Sequence, residues 1–155
     1  MVEENQPRWN KLLPKQADNS FQGYKFTLYF FYLLTMVTLI RSCIHIFFPD
    51  GGANIIASID VSVDGGNTII SISALWGLSQ LLFGVLYVII AVRYRSLVPL
   101  MFLFILLEYS MRILVGFFKP IETTRIPPGA IGNFILMPLS LLLLIFSLIR
   151  PRTQK

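Results

Sequence analysis

The chain has 155 residues, 55% of them hydrophobic and only 14% charged, against roughly 45–50% and 25% in soluble domains. With a mean hydropathy of +0.69 this is the composition of a membrane protein. The net charge of +5 does not point to nucleic acid, because the Lys and Arg residues sit at the ends of apolar runs, where they set membrane orientation. The single cysteine, Cys43, excludes an internal disulfide and any multi-cysteine metal site.

Residues 1–23 form a polar tail that reaches its apolar run late and after Glu3, Glu4 and Asp18. That is not the pattern of a cleaved secretory signal, so the first span is expected to stay as a signal anchor. Within the tail, Trp9, Leu12 and Leu13 are framed by Arg8, Lys11 and Lys15. The island suits either a short segment at headgroup level or a loose cytoplasmic tail.

The first span is expected over 24–48. Its charge-free part ends at Ile40, and the roughly 20 residues needed to cross a bilayer place Arg41 and His45 in its last turns. Four apart, they share a face. Pro49-Asp50-Gly51-Gly52 ends the helix. In the following loop Ile55, Ile56 and Ile59 have helical spacing and suit a short surface segment. Asp50, Asp60 and Asp64 fall here too, without the EF-hand spacing of a calcium loop.

The second span, 68–92, carries no charge. Gly77, Gly84 and Ala91 recur every seven residues, with Ser73 four before Gly77. This small-residue stripe lets another helix approach closely, inside the bundle or on a partner or second copy. Trp76 and Gln80 share a different face. Arg93-Tyr94-Arg95-Ser96 is too short to recross a membrane, so it makes a hairpin with the third span, 97–118. Ser96 is a candidate cap there, and Pro99 is harmless in the first turn. Pro127-Pro128 opens the fourth span, 129–149, in which Pro138 is expected to kink the helix. A basic tail, 150–155, follows.

Basic residues give the orientation. Arg8, Lys11, Lys15, Lys25, Arg93, Arg95, Arg150, Arg152 and Lys155 fall on one side, and only Lys119 and Arg125 on the other. Both termini are therefore expected in the cytoplasm, with the Asp-bearing loop outside.

The third span holds the feature that needs explaining: Glu108 at its middle and Arg112 one turn later. With each span's midpoint at the bilayer centre, a rise of about 1.5 Å per residue puts Glu108 and Gln80 within about an ångström of it. On the same count Arg112 and Trp76 lie roughly 6 Å outward, Arg41 roughly 7 Å, Asn133 and Ser73 roughly 9–10 Å, and His45 roughly 13 Å. An unpaired charge at the centre costs something like 3 kcal/mol or more. Glu108 followed by Arg112 is the favourable order for a helical ion pair. Arg41 is expected to reach the same carboxylate, with Gln80 and Asn133 filling its remaining acceptor sites. Two Arg and one Glu leave one positive charge over, which invites an anionic ligand group or water. The cluster reads either as a clasp fixing helix order or as a ligand or proton site. His45, close to the interface, is expected to be hydrated or to meet headgroups. Cys43 reads as a small packer rather than a nucleophile. No metal site and no cofactor is expected.

The layout resembles the small bacterial four-helix membrane proteins called DoxX-like: a first span entering from the cytoplasm, a long outer loop, a second span opening with Ala74, Trp76 and Gly77, a tight basic hairpin, and a third span carrying Arg112. Some members look like partners of quinone-linked redox enzymes. Glu108 is also similar to the membrane acids of sterol-isomerase-type bundles, without a second acid to match. The expectation is an all-α, antiparallel four-helix bundle in the plasma (inner) membrane, with a polar pocket in its outer half. Its leading role is as a binding module or accessory subunit for a lipid-like, quinone-like or sterol-like molecule. The rivals are an enzyme or proton-coupled carrier using Glu108, and a purely structural subunit joined through the small-residue stripe.

Overall fold

The computed structural model describes residues 9–149. Arg8 and the basic tail 150–155 lie outside the described residues, and nothing is assigned to the side chain of Trp9. A four-residue helix, α1 (Trp9–Leu12), precedes four long ones: α2 (Lys25–Phe47), α3 (Gly66–Arg93), α4 (Val98–Phe118) and α5 (Pro128–Leu148). All four are long and apolar enough to cross a membrane. Their ends lie within one or two residues of the limits of the apolar runs, because in lipid every backbone N–H and C=O must be satisfied inside the segment. α5 runs through Pro138 without a break.

Consecutive helices run antiparallel. α2 packs along α3 and α4 along α5, and the two pairs meet mainly through side chains. The small-residue stripe of α3 faces α2. A Cβ on Gly77 would stand 2.4 Å from the His45 Cβ, and one on Gly84 would stand 2.7 Å from the end of Leu39. Ala91 is buried further along the same face, and Ser73 lies against Gly51 of the loop. The stripe is thus spent on packing within the chain, which settles its direction: it is not left open to a partner.

The apolar core occupies the half of the bundle nearer the termini. Phe31 of α2 packs edge-on against Tyr87 of α3 and Phe102 of α4, with Ile90, Val98, Met101, Ile105 and Leu143 around them. Buried hydroxyls along the bundle are satisfied locally: Thr27, Thr35, Ser42, Ser140 and Ser147 each donate to a carbonyl three or four residues back. Helices can then pack closely without orphaned polar atoms.

The tail that leads into α2 is tied down. Lys11 Nζ donates to the Leu148 carbonyl, and Tyr24 N–H to the Phe146 carbonyl. Ser96 does not cap α4, whose N-cap position is Leu97. Instead its N–H and hydroxyl both donate to the Asp18 carbonyl, and its Oγ accepts from the Asp18 N–H. A hydroxyl in the turn reaches the neighbouring strand of chain more readily than its own helix start.

At the opposite end, two loops lock together. The Ile55–Ile59 segment is a run of turns rather than a surface helix, with Ile56 N–H donating to Gly52 O and Ser58 N–H to Asn54 O. Gly51 and Gly52 turn left-handed, with φ of 59° and 67°, which breaks the helical path. Asp50 gathers the N–H groups of Gly52, Asn54 and Ile55 on its two carboxylate oxygens. Partial burial pushes that carboxyl up, but the Ile55, Gly52 and Asn54 N–H groups outweigh it and hold Asp50 below the usual carboxylate range. Ser58, at φ 57°, is held by the second loop: its carbonyl accepts from Thr124 N–H and Oγ1, and its Oγ from Arg125 Nε.

Candidate functional site

Between the apolar core and the locked loops, three helices contribute to one polar chain. Arg41 of α2 donates from Nη2 to Gln80 Oε1 at 2.8 Å. Gln80 of α3 passes the contact on, donating from Nε2 to Glu108 Oε1 at 3.0 Å. Arg112, one turn along α4, donates to the same oxygen from Nε and Nη2. An amide suits the middle position because it accepts from the cation and donates to the anion at once. Arg41 therefore reaches Glu108 through Gln80, which corrects the expected direct contact.

Trp76 lies between the two cations. The guanidinium carbons of Arg41 and Arg112 stand 5.4 and 4.8 Å from its ring centroid, both within cation–π range. Tyr109 adds a second aromatic face to Arg112 at 5.5 Å. Tyr109 follows Glu108 directly and stands three residues before Arg112, a helical spacing that the sequence already carried.

His45 is 1% exposed, which corrects its expected place among water or headgroups. The turn after α2 folds back over it: His45 Nδ1 donates to the Gly51 carbonyl at 2.7 Å, and Gly52, lacking a Cβ, lets the ring in. Its other side meets Trp76, with ring centroids 4.7 Å apart. Among the described residues two buried side-chain nitrogens are left without a partner, Arg41 Nε and His45 Nε2. With Nδ1 donating, Nε2 is an acceptor, so a donor and an acceptor one turn apart on α2 both lack partners. Cys43 is exposed on the bundle's outside.

Space is distributed unevenly around the cluster. Next to Glu108, Gln80, Arg41, Thr38, Tyr87 and Tyr109 there is a cavity of only about 10 Å³, about what one water needs. On the far side of Arg112 an open groove of about 250 Å³ runs between α4 and α5. Its walls are Phe117 and Phe134, Gly116 and Ala130 keep it open, and Arg112 and Asn133 supply its polar atoms. Asn133 therefore does not join Glu108, whose acceptor sites it is expected to fill. It faces the groove and makes no hydrogen bond among the described residues. The sequence signal for this groove is a second set of small residues, Gly116 and Ala130, toward the loop ends of α4 and α5. Among the described residues no three His, Cys, Asp or Glu side chains gather as a metal site would require.

Comparison with protein-family models, with curated proteins and with solved structures finds no match for the chain.

Proposed function

We propose that this is a small multi-pass protein of the plasma (inner) membrane that holds a lipid-like or quinone-like amphiphile by its polar end, as a binding module or accessory subunit. Both termini are cytoplasmic in this reading, from the bias of Lys and Arg toward the tails and the Arg93–Arg95 turn. The resemblance to DoxX-like proteins belongs to the same proposal.

One observation carries it: the groove beside Arg112 pairs a cation and an unbonded amide with aromatic and apolar walls, at a depth where water is scarce. An amide left unpaired in hydrocarbon is costly, and a ligand's polar end offsets that cost. The carrier reading, in which Glu108 cycles a proton, has less support, since Oε1 of Glu108 accepts from three N–H groups and the space beside it holds about one water. The structural-subunit reading loses its expected docking stripe to α2.

The test is mass spectrometry of small molecules extracted from purified wild type and from Gly116→Leu, which fills the groove from a position where a new Cβ meets nothing within 4 Å. The expected result is an amphiphile that accompanies wild type and is depleted in the variant. Identical extracts from the two proteins, carrying nothing beyond bulk lipid, would count decisively against the reading.

A further inference from the structure

The groove between α4 and α5 carries no net charge. Arg112 is the cation in its wall, and that guanidinium spends Nε and Nη2 on an ion pair with Glu108. The positive charge left over belongs to Arg41, which lines the small cavity beside Glu108 and not the groove. What the groove does hold is hydrogen-bonding capacity. Arg112 Nη1 makes no hydrogen bond among the described residues, and neither does the Asn133 amide, with its two N–H donors and its carbonyl acceptor. Neither group is shut away: among the described residues the buried side-chain atoms without a partner are Arg41 Nε and His45 Nε2. Phe117 and Phe134, 76% and 61% exposed, supply apolar walls.

We infer that this groove takes the head of an uncharged, hydroxyl-bearing lipid, a chain alcohol or an acylglycerol, entering sideways from the leaflet on the loop side. The inference rests on the amphiphile reading above and names the head that is held. Charge excludes ions: a charged head would enter a wall that is already neutral, at a level where unpaired charge is expensive. The count of donors and acceptors decides among neutral heads. Arg112 Nη1 and the Asn133 N–H groups call for an acceptor, while the Asn133 carbonyl calls for a donor. An ether, ester or ketone oxygen answers only the first. A hydroxyl answers both, accepting on its lone pairs and donating its O–H. The second bond keeps the amide carbonyl from standing unpaired in hydrocarbon. Depth agrees. By helical rise the groove spans from roughly 6 to 13 Å from the bilayer centre, inside the hydrocarbon half-thickness of about 15 Å. A neutral hydroxyl reaches that level at far smaller cost than a phosphate. Volume sets how much of the lipid enters. A groove of about 250 Å³ equals roughly eight water volumes at about 30 Å³ each. That holds the head and first few carbons, so the remainder of the chain lies in the bilayer.

The experiment is native mass spectrometry of the full chain, released from detergent at pH 8.5 after incubation with hexadecanol, its methyl ether, monopalmitoylglycerol and palmitic acid in equal amounts. The ether keeps the acceptor oxygen and loses the O–H, and at that pH the acid is ionised. The expected result is a one-to-one adduct of hexadecanol or monopalmitoylglycerol, the stronger of the two identifying the source of the hydroxyl. The ether should bind about fivefold more weakly or worse than hexadecanol, the effect of one ordinary hydrogen bond, and palmitate should bind more weakly than either hydroxyl lipid. Asn133→Leu should abolish the preference for alcohol over ether, and Gly116→Leu should weaken all four. Both variants should unfold near the wild-type temperature, since Asn133 makes no hydrogen bond among the described residues and a Cβ on Gly116 meets nothing. Equal binding of alcohol and ether by wild type would overturn the hydroxyl and leave the amphiphile reading standing. Palmitate as the strongest adduct would overturn the uncharged head. An unchanged preference at full strength in both variants would overturn the site. Binding of none of the four would overturn the inference, and the extraction experiment then decides separately whether an amphiphile is held at all.

Discussion

Replacing Gln80 by Met removes a side chain that hydrogen-bonds both Arg41 of α2 and Glu108 of α4, while keeping nearly its length. Two bonds disappear, at 2.8 Å to Arg41 and 3.0 Å to Glu108. Interhelical hydrogen bonds in membranes average about 0.6 kcal/mol and reach about 1.7. Both bonds here end on charged groups, which belong toward the upper end, so the expected loss is about 1–3 kcal/mol. For a chain of this length that is about 3–10 °C in unfolding temperature. The assay is thermal unfolding in detergent of Gln80→Met, Arg41→Met and the double variant. A coupling of about 0.6–1.7 kcal/mol is expected between the two positions, because once Gln80 is gone Arg41 has no bonded route to the carboxylate. A loss below about 0.5 kcal/mol with no coupling would refute the reasoning. It would mean that water, and not Gln80, satisfies both charges, and that the chain from Arg41 to Arg112 does not hold the bundle together.

Glycine positions in α3 and α4 should respond in opposite directions. Gly77→Ala drives a Cβ to 2.4 Å from the His45 Cβ and 3.3 Å from the Ser42 carbonyl, an overpacking worth about 1–3 kcal/mol of lost stability. Gly84→Ala meets only the end of Leu39, which can swing away, so its cost should be smaller. Gly116→Ala, facing open space, should gain up to about 1 kcal/mol from helix propensity. Unfolding temperatures in any other order would contradict the packing. Orientation is checked by labelling Cys43→Ala cells with a membrane-impermeant maleimide. Asp60→Cys should react in intact cells and Ser96→Cys only after lysis, and the reverse pattern would invert the topology.

Hydropathy alone located the four helices, because a spanning segment must satisfy its own backbone and so declares its length in apolar residues. It also supplied depth, since position along a helix converts directly to distance from the bilayer centre. Glu108, Gln80, Arg112, Trp76 and Arg41, at neighbouring levels on that count, do meet in the structure. Direction around the helix axis is another matter, because it depends on which neighbours each helix selects. Asn133 is expected at the Glu108 carboxylate, yet it turns into a groove with Arg112 instead. The stripe on α3 was plain in the sequence, but only close packing of Gly77 on His45 fixes α2 as the helix it serves.

His45 marks the other limit. By sequence it stands at the edge of the membrane, where water is near. Burial came from the chain after it, from two left-handed glycines and Asp50 folding the turn back over the ring. The sequence by itself therefore determined the number, length and polar levels of the helices, which are local properties of each segment in lipid. Tertiary structure decided which polar groups share a bond and that the larger open space lies beside Arg112 and not at Glu108. Those depend on side chains from separate helices arriving at one place, and no single segment encodes them.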